Sequence, residues 1–233
     1  KKIIYLQSEF QKKQNELRQV ESDIKSKKSQ LVIMDDEILV QEFGLYRPTF
    51  DFASSLDLLG ISVNDVVALP IKNCIEVPVS LLAINKIGAI SKWVDTDKSA
   101  KEFYDDLSQT KFKFLISDSS IKEKIDSIVD SLELDKNNVL YVDSTNFDKK
   151  SDFVKLLNMG KSHNVKSVGY SKDRPVIIIT SSGSTGLPKE MLHSAFSVNS
   201  AIKKLTYTDY PIKDNILTVV IPPYIGLGLI TSL

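Results

Sequence analysis

One cysteine, Cys74, stands among 233 residues, so the chain cannot close a disulfide on itself. Two histidines beside that cysteine argue against a structural zinc site, and no metal-ligating set is read from the sequence. Thirty basic and thirty acidic residues cancel, leaving no excess of either sign to recruit nucleic acid or an anionic membrane. No nucleic acid is therefore expected as a partner of residues 58–233. No apolar run approaches the roughly eighteen residues of a membrane span, and no secretory leader is visible, which makes the cytoplasm the expected location. What is present is a hydrophobic fraction of 42%, ordinary for a globular protein, in a chain long enough for one large or two small domains. The chain opens on Lys1 rather than Met and stops at Leu233 inside an apolar run, so both ends are expected to be cut points.

The most informative stretch runs from Ile177 to Lys189, I-I-I-T-S-S-G-S-T-G-L-P-K. Its β-branched start, Val176–Ile179, reads as a buried strand. The strand empties into hydroxyls and glycines that close on Pro188 and Lys189. Such a loop can direct several backbone N–H groups and hydroxyls at one anion, with a mobile positive charge beside them, and phosphate is the anion it suits. The common nucleotide loop places its lysine directly after the second glycine. Here Leu187 and Pro188 intervene and Glu190 follows, so that pattern is excluded.

Ahead of this lies a different texture. Phe10, Leu17, Ile24, Leu31 and Ile38 recur every seven residues, and Leu6, Val20 and Met34 occupy a second seam broken by Lys13 and Lys27. The spacing predicts one coiled-coil helix over 3–43, self-associating through that stripe. Gly44 suits its end, and Pro48 stops any continuation. An aromatic-rich junction follows at 45–57, including Tyr46, Phe50 and Phe52.

From residue 58 onward, apolar strands alternate with helical spacings. Strands are expected at 64–70, 89–94, 111–117 (half-covered, because Lys111, Phe112 and Lys113 alternate), 139–142, 176–179 and 216–221. Helices are expected at 76–87, 99–109, 119–132 with Ser119 as cap, 153–159 closed by Gly160, and 194–205 with Ser194 as cap. This alternation argues for an α/β fold with a doubly wound, mostly parallel sheet, in which ligands sit beyond the carboxyl ends of the strands.

The nine positions Ser181–Lys189, in the order [ST]-S-G-[ST]-T-G-x-P-K, resemble the phosphate-binding signature of the adenylate-forming (AMP-binding) superfamily, which includes acyl- and aryl-CoA synthetases and peptide adenylation domains. Asp65-Val66-Val67-Ala68 looks like that family's early G-D-x-V-A-I strand with Asn64 in the glycine's place. Leu81–Ala89 looks like its L-A-x-x-K-x-G-A helix and turn. These motifs run in the family's order over 58–233. The resemblance implies the N-terminal part of an adenylation domain that joins a small-molecule carboxylic acid to AMP, using ATP and Mg²⁺, for transfer to CoA or a phosphopantetheinyl carrier protein. It assigns Ser181, Ser182, Gly183, Ser184, Thr185, Gly186 and Lys189 to the ATP phosphates, with Lys189 screening the departing pyrophosphate; a solvated surface lysine is the alternative. It also implies later motifs beyond Leu233, so the chain alone is expected to be inactive. Two departures stand out. Glu190 replaces a glycine, placing a negative charge beside the phosphates. In Ile221–Gly228 an aromatic-His pair becomes Tyr224-Ile225. Tyr224 reads either as lining an acyl pocket or as a core tyrosine. His193 has no assigned role, and His163 is expected to be solvated.

Residues 1–55, with the segment Glu42–Phe52, resemble instead an uncharacterised region found upstream of GIY-YIG-type nuclease domains. The abrupt change near residue 58 fits a fused reading frame as well as a two-domain protein. Competing expectations are a non-catalytic coiled-coil interaction protein and a phage-type nuclease accessory segment.

Overall fold

The structure is a computed structural model that describes residues 13, 46–142, 152–181, 189–206 and 221–226. The chain divides into Lys1–Tyr46 and Arg47–Leu233, and the fold below is that of the second unit. The coiled-coil expectation for 3–43 (Lys13 excepted), the loop positions 182–188 and the strand expected at 216–221 (its last residue excepted) lie outside the described residues.

Six strands form one sheet: β1 (Val66–Leu69), β2 (Ile90–Trp93), β3 (Phe114–Asp118), β4 (Val139–Val142), β5 (Pro175–Ser181) and β6 (Lys189–Ser194). Their order is β4-β3-β1-β2-β5-β6, with every pairing parallel except β5 with β6. The chain thus steps from β1 to β2, doubles back past β1 to β3 and β4, and crosses to β5 beyond β2. Helices α1 (Tyr46–Leu58), α2 (Glu76–Lys86), α3 (Ala100–Leu107), α4 (Lys122–Ile128), α5 (Asp152–Gly160) and α6 (Ala195–Thr206) connect or flank the strands. The α/β, mostly parallel expectation therefore holds. The antiparallel β6 went unforeseen, because Lys-Glu-Met-Leu-His-Ser carries no clean alternation. No described helix is long and apolar enough to cross a membrane.

Every residue of β2 and β3 is buried, as sheet covered on both faces requires. The half-covered expectation for β3 fails because the alternating Lys111–Lys113 precedes the strand rather than forming it. On one face Ala68 and Leu115, which are register partners, join Phe103 and Leu107 of α3 and Ile125 and Ile128 of α4 in one apolar cluster. Lys92 is the register partner of Ala68 and so shares that face.

Several local departures have physical causes. The stretch 45–57, expected as a junction, is mostly helix: Pro48 sits in the first turn of α1, where its missing N–H costs nothing. Phe52, Ala53 and Leu56 of α1 are fully buried, and the Phe52 ring lies 4.7 Å from that of Phe153 on α5. The predicted 119–132 helix is broken into two 3₁₀ turns around α4, with Asp118, not Ser119, as its cap: the Asp118 carboxylate accepts from Ser120 N–H at 2.9 Å. Ser99 and Glu102 close a capping box on α3, and Ser194 Oγ accepts from Ser197 N–H at the start of α6. Asn64 has φ +66°, a conformation natural to glycine and tolerated by asparagine, which accounts for its standing in the glycine's place.

Gly160 is the last residue of α5 rather than a cap beyond it. A Cβ there would lie 1.7 Å from the Asp51 carbonyl oxygen of α1, so glycine is required by the approach of two backbones. Gly160→Ala should therefore destabilise the unit by about 1–3 kcal/mol or more. Gly169→Ala, at a site with nothing within 4 Å, should stay within about 0.5 kcal/mol. Chemical denaturation of both variants measures the contrast.

Candidate phosphate-binding site

The glycine- and hydroxyl-rich segment leaves the sheet from the carboxyl end of β5 and re-enters it on β6. Ser181 and Lys189 are its two stems. They are register partners, and Ser181 Oγ donates to the Lys189 carbonyl at 3.1 Å. Lys189 is exposed. The stems therefore stand where an open α/β sheet binds ligands. Ser182, Gly183, Ser184, Thr185 and Gly186, assigned above to ATP phosphates, lie outside the described residues.

Below the stems is a buried ionic cluster. Lys92 on β2 has a fully buried side chain, yet the strand run Ile-Ser-Lys-Trp places it inside the sheet. Its ammonium donates to Glu190 Oε1 at 2.5 Å, to the Asp106 carbonyl at 2.6 Å and to the Leu107 carbonyl at 3.4 Å. The last two carbonyls end α3, where a cation meets both their lone pairs and the negative end of the helix dipole. Thr110 Oγ1 donates to the other Glu190 oxygen. The Asp106 carboxylate, also fully buried, accepts from Lys98 at 2.5 Å and from Thr180 Oγ1 at 2.9 Å. Register explains the convergence: Lys92 faces Ile178, Thr180 lies two residues on, and Thr180 faces Glu190. All of these side chains point to the α3 side of the sheet.

The expectation for Glu190 is thereby corrected. Its charge is spent on Lys92 and Thr110 on the covered face, not directed at bound phosphate. The signal that would have found the cluster is the lysine inside the apolar run Ile90–Val94, since a buried ammonium demands a carboxylate.

Tyr224 also comes to this end of the sheet. Asn73, after β1, donates to the Ile221 carbonyl at 3.1 Å, and a Cβ on Gly226 would lie 3.4 Å from Ile179 of β5. The half-buried Tyr224 phenol bonds to Asp95, just past β2; burial, then Asp95, then the Asp97 charge push its pKa up to about 12. His193 faces Ile177 on β6, and His163 pairs with Asp57 at 2.7 Å rather than being merely solvated. Burial, reinforced by Glu76, pushes the Cys74 thiol far above its ordinary value and denies it a nucleophile's thiolate.

With the stems and sheet order in view, comparison with known proteins decides the family. The AMP-binding enzyme family model matches residues 44–233. The chain belongs to the AMP-binding enzyme family. The matched region includes α1. Among relatives of this AMP-binding protein, acetoacetyl-CoA synthetase of Xenopus tropicalis is 29% identical over 184 residues, covering 70% of this chain and 27% of the relative. 4-Coumarate–CoA ligase 3 of Arabidopsis thaliana is 25% identical over 160 residues, covering 68% and 28%. The chain thus spans about a quarter of the length of these relatives. Among solved structures, the inhibitor-bound N-terminal domain of FACL13 from Mycobacterium tuberculosis shares the fold with TM-score 0.67 and 24% identity, covering 80% of this chain and 45% of that one. ATP-bound MatB from Rhodopseudomonas palustris does so with TM-score 0.65 and 21% identity, covering 80% and 36%.

Two outcomes follow. Glu190→Ala strands the buried Lys92 ammonium and should cost about 3–5 kcal/mol in denaturation, whereas a mere repeller of phosphate would be removed without loss. Because Tyr224 has its pKa raised in the folded state, the stability it contributes is complete below 10 and is lost as pH rises toward about 12. Alkaline titration of tyrosinate absorbance, wild type minus Tyr224→Phe, should show one group titrating near pH 12.

Proposed function

We propose that this AMP-binding chain supplies the phosphate-binding part of a ligase that activates a carboxylic acid as an acyl-adenylate for transfer to CoA or a carrier protein. The observation that carries the reading is the placement of Ser181 and exposed Lys189 as paired stems at the carboxyl end of β5, in a signature that names phosphate. The relatives' names, acetoacetyl-CoA synthetase and 4-coumarate–CoA ligase, support the acid-plus-CoA class.

In the proposed reaction a carboxylate oxygen bonds to the α-phosphorus of ATP, and the bond from that phosphorus to the oxygen bridging to the β-phosphate breaks. The electron pair leaves with pyrophosphate. The chain's part is to hold the β- and γ-phosphates in line and to neutralise the charge that grows on the leaving group. Lys189 supplies that charge from the loop's second stem, while hydroxyls and N–H groups of Ser181–Gly186 hold the phosphate oxygens. Mg²⁺, entering with the nucleotide, would share in neutralising the phosphate charge. Tyr224, tied to Asp95 at the same end of the sheet, is assigned in this proposal to the border of the acid pocket.

Acid-dependent exchange of labelled pyrophosphate into ATP, measured on the whole ligase of which this chain is proposed to supply the phosphate-binding part, tests the reading. Lys189→Ala should lower the exchange rate on the order of 10²-fold, the scale of losing one charge-stabilising donor. Exchange unaffected by this substitution, or absent across a broad panel of carboxylic acids, would reject it.

A further inference from the structure

The buried cluster does more than satisfy its own charges, because it grips the two sides of the phosphate segment separately. On the outgoing side Thr180, adjacent to Ser181, is held by Asp106 at 2.9 Å. On the returning side Glu190, adjacent to Lys189, is held by Lys92 at 2.5 Å and by Thr110. Both grips converge on the C-terminal end of α3: Lys92 bonds the carbonyls of Asp106 and Leu107, and Thr110 follows that helix within three residues. The other end of α3 is anchored as well. Lys98 reaches the Asp106 carboxylate, and Lys124 of α4 donates to the Thr96 and Lys98 carbonyls at 2.8 and 2.5 Å.

We propose that Lys92, Asp106, Thr110, Thr180 and Glu190 form a two-sided clamp that sets the positions of Ser181 and Lys189 for phosphate binding. These are positioning residues: none is placed against substrate, and each acts through a stem residue beside it. The proposal rests on the phosphate-binding reading above and deepens it. Its chemical logic lies in alternation. Along β6, Lys189 and Glu190 point to opposite faces, so fastening the glutamate on the covered side presents the lysine on the other. A glycine in place of Glu190 would leave that register to the backbone alone. The two ammonium groups and two carboxylates, Lys92, Lys98, Asp106 and Glu190, balance within the cluster, leaving the charge of Lys189 for an anion.

Two isosteric substitutions loosen one side each: Thr180→Val removes the Asp106 link, and Glu190→Gln weakens the Lys92 link while keeping its shape. Amide hydrogen exchange and titration with MgATP are read on both variants and on their combination. The clamp predicts about tenfold faster exchange at Ser181 and Lys189, with Ala68 and Leu115 in the central strands unchanged. It also predicts about tenfold weaker MgATP binding in the double variant. Stem exchange at the wild-type rate overturns the clamp, and so does unchanged MgATP affinity with the stems loosened. If one variant fails to fold, the other still tests its own side. Equal MgATP binding by wild type and Lys189→Ala would instead overturn the phosphate reading and the positioning role with it. That failure is told apart because the stems would still exchange faster in the clamp variants.

Discussion

An ammonium group buried in the middle of a sheet must be met by a carboxylate and by carbonyls, and much of this unit is arranged around that constraint on Lys92. The constraint selects a helix whose C-terminal carbonyls can turn toward β2, which is α3. It selects a glutamate on an antiparallel strand two positions away across the sheet, which is Glu190. A simpler apolar residue at 92 would bury as well, yet it would tie neither α3 nor β6 to the sheet. The ion pair therefore supplies orientation, whatever its net contribution to stability.

That orientation bears on the glycine- and hydroxyl-rich segment, which is short in sequence and links two strands of opposite direction. β5 carries hydroxyls out of the sheet at Ser181, and β6 returns with a lysine on its first residue. The two share a register pair and a hydrogen bond from Ser181 Oγ to the Lys189 carbonyl. In the proposed role a phosphate group needs donors and positive charge within one small volume, and two stems fastened to one helix end would meet that need. The approach of Tyr224 and Asn73 to the same edge gathers the ends of β1, β2 and β5 around one location.

Most of the fold was legible because its strands are continuous apolar runs with helical spacings between them. Val66–Leu69, Ile90–Trp93 and Val139–Val142 all fall inside predicted strands. The failures share a cause: they are decided by contacts distant in sequence. β6 exists because β5 offers an open edge, not because Lys-Glu-Met-Leu-His-Ser favours extension. Gly160 is glycine because of Asp51, 109 residues earlier. The signature Ser181–Lys189 stands out in the sequence because its pattern is local, and family membership over residues 44–233 agrees with it. Glu190 was misread for the opposite reason: beside Lys189 in sequence it looks like a repulsive neighbour, and only the pairing of β2, β5 and β6 shows that it belongs to Lys92.

The most direct test of the central claim, that Ser181 and Lys189 bracket a phosphate site, is a backbone amide chemical-shift map of the protein titrated with MgATP. The account predicts saturable shifts concentrated at Ser181 and Lys189 and at the residues between them, with small changes at Ala68 and Leu115. Shifts centred elsewhere, or none at these two stems under saturation, would contradict it.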